Sequence, residues 1–332
     1  MQLNKRPAPH IRYQESNRTL MSDILILLFV LTVLAFLFYG RRALMVCAVS
    51  VVTAVLSDAV CILLRGKRPS LRDLSPVVTG MLIALAMPAA VPYYIVAAAA
   101  VFAIAIAKHP FGGLGNNLFN PAAAGFAFAA ICWPDQVFMY PQPFDHIPVF
   151  GQVTSILSRN PAFVLQHGGI PSNGITEMLL GNYPGPMGAT NILVILTCLG
   201  YLLFRRTVRW QLPLSFLGTC AVFAWVFPRA GSNIQSVCYE MMSGILLFGA
   251  VFVLSDPATS PKRDSSYAAY GVFAGIITMI FRYFGGFEES MPFAILFSNA
   301  FVPVIDRYNE ALHRWIRRKS LETRKLKKTQ EV

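Results

Sequence analysis

Charge is scarce in this chain. Only 13% of its 332 residues are Asp, Glu, Lys or Arg, against about 25% in an average soluble protein. Acids are scarcer than bases, 16 against 28. No CxxC pair occurs. Cys47, Cys61, Cys132, Cys198, Cys220 and Cys238 stand singly, mostly inside apolar runs. That excludes a zinc or iron–sulfur site built on cysteines of this chain alone and leaves them as small packing residues. His10, His109, His146, His167 and His313 all lie outside the centres of the apolar runs, which argues against a histidine-lined ammonia-type channel. No stretch long enough for an ordinary soluble domain separates those runs.

What is present is apolar surface: 55% of residues are hydrophobic and mean hydropathy is +0.54. Runs of membrane-spanning length, about 17–25 residues, recur along the chain. The net charge of +12 invites a nucleic-acid reading, but the bases sit at span ends and in a C-terminal tail. That is how membrane orientation is written into a sequence, so the lipid bilayer, not nucleic acid, is the expected partner.

The chain divides into a polar segment, 1–21, a first membrane half, 22–133, a long loop, 134–190, a second membrane half, 191–305, and a basic tail, 306–332. Spans are predicted at 22–39, 43–64, 74–87, 92–107 and 120–133, then at 191–204, 211–227, 237–254, 267–281 and 291–304. The first ends at Arg41 and Arg42 without a small-residue cleavage site, which reads as an uncleaved anchor. With the N-terminus inside, inner loops hold Arg65, Lys67, Arg68, Arg72, Lys108, Arg205, Arg206, Arg209, Lys262 and Arg263, and outer loops hold Arg41, Arg42, Arg159 and Arg229. Both termini are therefore expected in the cytoplasm and the long loop outside. FNPAAAG (119–125) and SNAFVPVID (298–306) both place an Asn shortly before a Pro in the last span of a half. Five spans per half make the second copy inverted. The expected fold is an all-α polytopic membrane protein of about ten transmembrane helices in two five-helix inverted repeats.

The chain is organised around KHPFGGLGNNLFNPAAAG (108–125). Gly112, Gly113 and Gly115 can take conformations closed to other residues, and Asn116, Asn117 and Asn120 supply donors and acceptors. The run reads either as a tight connector or as a turn that lets a ligand approach. Asp58 is the one acid well inside a span. It is either a partner for a local polar group or part of an ion pathway. Asp256, in SDPATSP (255–261), is either a helix end or a carboxylate facing a cation or cofactor. The long loop is rich in Pro and Gly, but Phe138, Tyr140, Phe144, Phe150 and Phe163 argue that it is ordered and packed. Two of its threonines stand out. Thr154 lies in VFGQVTSIL (149–157) and Thr190 in LLGNYPGPMGATNIL (179–193). Each suits a turn or helix cap, and the second run, with Gly185 and Gly188, could also present backbone N–H groups to a phosphate.

These motifs, with DLSPVVTGMLIALAMP (73–88), LSDPATSP (254–261) and MPFAILFSNAFVPVIDR (291–307), resemble the NqrB/RnfD family of ion-translocating oxidoreductase membrane subunits. That family serves the Rnf electron-transport complex and the sodium-translocating NADH:quinone reductase, and the short polar start favours the Rnf branch. The resemblance runs from about residue 73 to the tail. It implies a ten-helix inverted repeat in a prokaryotic cytoplasmic membrane. It also implies a noncovalent flavin such as riboflavin, and FMN joined through a phosphoester to an outer threonine by a flavin transferase. The partners implied are the other Rnf proteins, RnfA, RnfB, RnfC, RnfE and RnfG. The function implied is a station in an electron relay from ferredoxin to NAD coupled to Na⁺ or H⁺ export. In the family that threonine ends Ser-Gly-Ala-Thr; the register from NLFNP places it at Thr154, preceded here by Gly151, Gln152 and Val153. Thr190, after Gly188 and Ala189, is the alternative. A urea- or ammonium-type channel of similar architecture, or a scaffold that has lost the modified threonine, would carry no such flavin.

Overall fold

The computed structural model describes residues 17–330, apart from 69–72, 114, 146, 152, 154–155 and 264. The described chain is a mostly helical, polytopic membrane protein. The first half contributes α1 (Asn17–Tyr39), α2 (Arg41–Leu64), α3 (Ser75–Ala86), α4 (Tyr93–Lys108) and α5 (Pro121–Cys132). The long loop holds three short helices, α6 (Pro134–Val137), α7 (Pro161–Gln166) and α8 (Ile175–Leu180). It also holds an antiparallel two-residue pair, β1 (Tyr140–Pro141) with β2 (Leu157–Ser158), in which Tyr140 faces Ser158. The second half contributes α9 (Ile192–Phe204), α10 (Gln211–Val226), α11 (Asn233–Met242), α12 (Leu246–Val253), α13 (Ser266–Phe284) and α14 (Met291–Gln330).

Local chemistry sets these limits. Asn120 caps α5: its side chain accepts the Ala123 N–H at 3.1 Å, and Pro121 occupies the first turn, where its missing N–H costs nothing. Asn191 caps α9 in the same way through Val194. Among the described residues, α1, α2 and α13 are long and apolar enough to cross a bilayer singly. Their outer faces carry exposed Phe29, Leu37, Leu56 and Val60, the surface that lipid solvates. Inside, helices meet through small residues. A Cβ on Gly80 of α3 would lie 2.8 Å from the Val51 Cα of α2, and the Ser50 hydroxyl donates to the Gly80 carbonyl at 2.6 Å. Gly271 and Gly275, one turn apart on α13, do the same for α10.

Two elements differ from the sequence expectation. The span at 237–254 is broken: α11 and α12 meet at 64°. Gly244 takes a left-handed conformation there, φ +67°. The polar groups freed at the break are taken up locally, since Arg282 donates to the Ser243 carbonyl at 3.0 Å and Glu289 accepts the Ile245 N–H at 2.9 Å. The last span does not stop near residue 304. α14 runs on through Pro303 to Gln330. In the long loop, Phe138, Tyr140 and Tyr183 are buried, whereas Phe144 and Phe150 are exposed.

Candidate functional site

The two ends of the bundle are chemically distinct. One collects the start of α1, the ends of α2 and α4 and the start of α5. There Lys108, 2% exposed, places its Nζ 2.8 Å from Asp58 and 3.5 Å from Asp73. His109 adds its Nε2 at 2.9 Å from the same Asp58 oxygen, while its Nδ1 is buried without a hydrogen-bond partner among the described residues. Asp58 is therefore one member of a buried charge cluster. Sequence reasoning found Asp58 but not Lys108, which lies fifty residues along the chain and read only as an orientation signal.

The glycine turn closes this end. Gly112, Gly113 and Gly115 all have positive φ, +117°, +92° and +87°, so only glycine takes this path without strain. Gly112 and Gly113 border an open depression of about 240 Å³ with Asp58, Asp73, Lys108 and His109. Deeper in lies a cavity of about 30 Å³ between α1, α3, α5 and α12, bordered by Lys108, Asn117, Asn120 and Asp256. The Asn117 side-chain oxygen is buried here without a partner among the described residues. Asn120 donates to the Val253 carbonyl at 3.0 Å and to Asp256 at 3.4 Å. Asp256 also accepts from the Ala258 N–H and the Thr259 hydroxyl, so it serves as a turn cap and lines the cavity as well. Asn299 accepts the Asn120 backbone N–H at 2.9 Å when its amide nitrogen faces the Tyr270 hydroxyl. The two asparagines that echo each other in sequence thus touch.

The opposite end carries the long loop. Arg42, 4% exposed in the first turn of α2, donates to the carbonyls of Ala89 (3.0 Å), Ala90 (3.2 Å) and Pro148 (2.8 Å). Its guanidinium lies 5.3 Å from the Tyr93 ring centre. The Tyr93 hydroxyl in turn donates to the Val149 carbonyl. Both side chains tie the loop to the membrane helices, and both were missed in the sequence, where Arg42 counted only as a flanking charge. They border a cavity of about 590 Å³, with Asp135, Gln136, Met139, Phe150, Gly151, Val153 and Leu157. Thr154 lies outside the described residues; its neighbours Gly151 and Val153 form one wall of this cavity.

Thr190 is placed differently. It is 1% exposed, and the Tyr39 hydroxyl donates to the Gly185 carbonyl of the same run at 3.5 Å. Gly188 donates its N–H to the Leu85 carbonyl at 2.8 Å, and a Cβ there would sit 2.6 Å from the Leu85 Cβ. Gly185 packs on Thr190 and Tyr183. This run docks onto the end of α3 and borders neither cavity described above.

Comparison with known proteins agrees with this architecture. The profile of the NQR2, RnfD, RnfE family matches residues 4–313. The D subunit of the Na⁺-translocating ferredoxin:NAD⁺ oxidoreductase complex of Acetobacterium woodii is 32% identical over 93% of this chain and 94% of its own. The D subunit of the proton-translocating complex of Clostridium ljungdahlii is 29% identical over 91% and 93%. The D subunit of an ion-translocating oxidoreductase complex from Escherichia coli O17:K52:H18 is 31% identical over 82% and 86%. With the match spanning both membrane halves and the loop between them, this chain belongs to the NQR2, RnfD, RnfE family.

Proposed function

We propose that this chain is the flavin-carrying membrane subunit of an ion-translocating ferredoxin:NAD oxidoreductase and works only within that complex. The observation that carries the reading is the end-to-end match to subunits of that name, 93% of this chain against 94% of the Acetobacterium woodii protein. One relative's name specifies Na⁺ and another's protons, so kinship leaves the coupling ion to experiment. The relatives named above support this reading rather than a urea- or ammonium-type channel. RnfA, RnfB, RnfC, RnfE and RnfG are the expected neighbours, in a prokaryotic inner membrane.

The helices are consistent with ten spans, which would put both termini on one side, and the distribution of Lys and Arg in the sequence favours the cytoplasm for that side. α1 to α5 form one half; α9, α10, the α11–α12 pair, α13 and the apolar start of α14 form the other. The fourth helix of each half ends in a buried cation, Lys108 or Arg282, at opposite ends of the bundle. Contact between Asn120 and Asn299 marks the interface of the repeats, where such folds place their sites.

Thr154 is the proposed attachment point for FMN through a phosphoester, made by a separate transferase. Neighbouring Gly151 and Val153 line the cavity at the loop end. Its volume of about 590 Å³ lies within the roughly 300–1,000 Å³ of typical cofactor pockets. Arg42 engages three carbonyls there and, with five N–H donors per guanidinium, keeps donors for a phosphate. Tyr93 offers a ring face, and Asp135 and Gln136 offer polar groups for a ring edge. When bound, FMN supplies passage between one- and two-electron carriers; the chain's part is to hold it beside the membrane and limit water around it. Burial of Thr190 favours Thr154, because a transferase needs an accessible hydroxyl. Gln152 and Val153 require that enzyme to accept larger residues than Gly and Ala. The inner cavity has polar groups, but its volume of about 30 Å³ does not take a second flavin, and no step is assigned to one.

Peptide mass spectrometry of the subunit from its native complex tests the site, alongside Thr154→Val and Thr190→Val. FMN mass on the peptide containing Thr154, lost only in Thr154→Val, is the expected result. FMN on the Thr190 peptide moves the site. No covalent flavin on either, from cells with an active transferase, removes it.

A further inference from the structure

The segment joining α13 to α14 holds two adjacent acids, Glu288 and Glu289, 3% and 2% exposed. Their surroundings differ. Glu289 accepts the Asn160 amide at 2.7 Å with one oxygen and the Ile245 N–H at 2.9 Å with the other. Neither oxygen of Glu288 has a hydrogen-bond partner among the described residues, nor does the fully buried Tyr140 hydroxyl. The charged and titratable groups around the pair come from every packed element: Arg159 and Tyr140 from the long loop, Tyr183 from the run before α9, and Arg282 from α13. Glu240 of α11 already pairs with Arg282 at 2.9 Å.

Glu240 also lies 3.9 Å from Arg229, so three arginines stand near three acids. Among the described residues, however, no salt bridge within 4 Å reaches Glu288 or Glu289: Arg282 pairs with Glu240, and the Arg159 guanidinium stacks 4.8 Å from the Phe163 ring centre. An unpaired buried carboxylate is costly enough that such a group takes up a proton instead. Hydrogen bonding decides which one: Glu289 receives two donors that favour its anion, and Glu288 receives none. A metal cation does not suit the place, because two arginines already act on the pair, and the described residues contain no cluster of three or more His, Cys, Asp or Glu able to hold a metal ion.

We propose that Glu288 and Glu289 form a proton-binding site in which the pair holds one proton, resident on Glu288, at neutral pH. The site lies at the loop end of the bundle and also braces the break between α11 and α12 through Glu289. Proton release there changes the charge next to that break. The electrostatics agree: burial and Glu289 push Glu288 up to about 9, while burial lifts Glu289 only to about 7 against Arg282, the Ile245 N–H and Asn160. This inference does not depend on any flavin.

Infrared spectroscopy of the purified complex tests it, using wild type, Glu288→Gln and Glu289→Gln. A protonated-carboxyl C=O band should be present in wild type at neutral pH and fade above about pH 9. It should be missing from Glu288→Gln and kept in Glu289→Gln. A band unchanged in Glu288→Gln, or lost only in Glu289→Gln, overturns the assignment. Should Glu288→Gln fail to assemble, wild type with ¹³C-labelled glutamate decides through its alkaline-minus-neutral difference spectrum. Loss of an isotope-shifted glutamic-acid band supports the site, and the absence of any such band overturns it.

Discussion

Two buried charge clusters govern the chain at the scale of single residues, and they make opposite demands. Lys108 and Asp58 neutralise each other at 2.8 Å, so removing one partner strands the other. Asp58→Asn should lower stability by about 3–5 kcal/mol, the usual loss when a buried pair is broken from one side. The double variant Asp58→Asn with Lys108→Met should recover most of it, as read from thermal unfolding in detergent. If ferredoxin-driven ion export still fails in the recovered double variant, Asp58 or Lys108 belongs to the ion path; normal export makes the pair structural. Glu288 behaves in the other sense. Its folded-state value, about 9, lies above its ordinary 4.5. Its contribution is therefore complete below about pH 4.5 and lost as pH rises through about 9. Glu288→Gln should flatten the alkaline fall in melting temperature while leaving the value near pH 5 almost unchanged. Asp58 was legible in the sequence because a lone acid in an apolar run is conspicuous. Lys108, Arg42 and Glu288 were not, because each sits at a span end where charge is expected, and only the fold shows it to be buried.

Elements are legible where the cause is local and obscure where it is not. Asn120-Pro121 announces the start of α5 in the sequence because cap and first turn are adjacent residues. The break between α11 and α12 is announced only by Ser243-Gly244, one turn after Glu240, inside the otherwise apolar run 237–254. It exists because Arg282 and Glu289, from the far end of the second half, satisfy the Ser243 carbonyl and the Ile245 N–H. Gly244→Ala should therefore destabilise by about 1–2 kcal/mol from its left-handed backbone alone. The loss should be larger because the added methyl would meet the Glu289 carboxylate. Gly275→Leu tests the other device, close helix contact. It forces α13 away from Phe216 and Thr219 of α10, and overpacking of this kind typically removes about 1–3 kcal/mol. Denaturant midpoints of the two variants, compared with Gly200→Ala, where open space surrounds the new Cβ, separate the specific effects from a general response to substitution.

For the whole molecule, the question is which end faces the cytoplasm, and both candidate sites depend on it. The distribution of bases along the chain is a whole-sequence property and needs no structure to read. The structure adds which groups share an end. Lys108, the glycine turn, Arg205 and the Asp306–Lys262 contact lie at one end, and Arg42, the long loop and Glu288 lie at the other. The loop end carries few exposed bases, because Arg42 and Arg282 are buried and spent on carbonyls and Glu240. The proposed orientation, with the loop outside, therefore rests on bases elsewhere in the sequence, chiefly those of the tail. A single cysteine can be placed at exposed Ser172 or at Ser320, after replacing the six native cysteines, of which Cys132 is exposed beside the loop. In intact cells an impermeant maleimide should label the cysteine at 172 and spare the one at 320, and permeabilised cells should label both. The reverse pattern would move the large cavity and Thr154 to the cytoplasmic face, out of reach of an extracytoplasmic transferase. It would also turn the Glu288–Glu289 site toward the side from which protons are drawn.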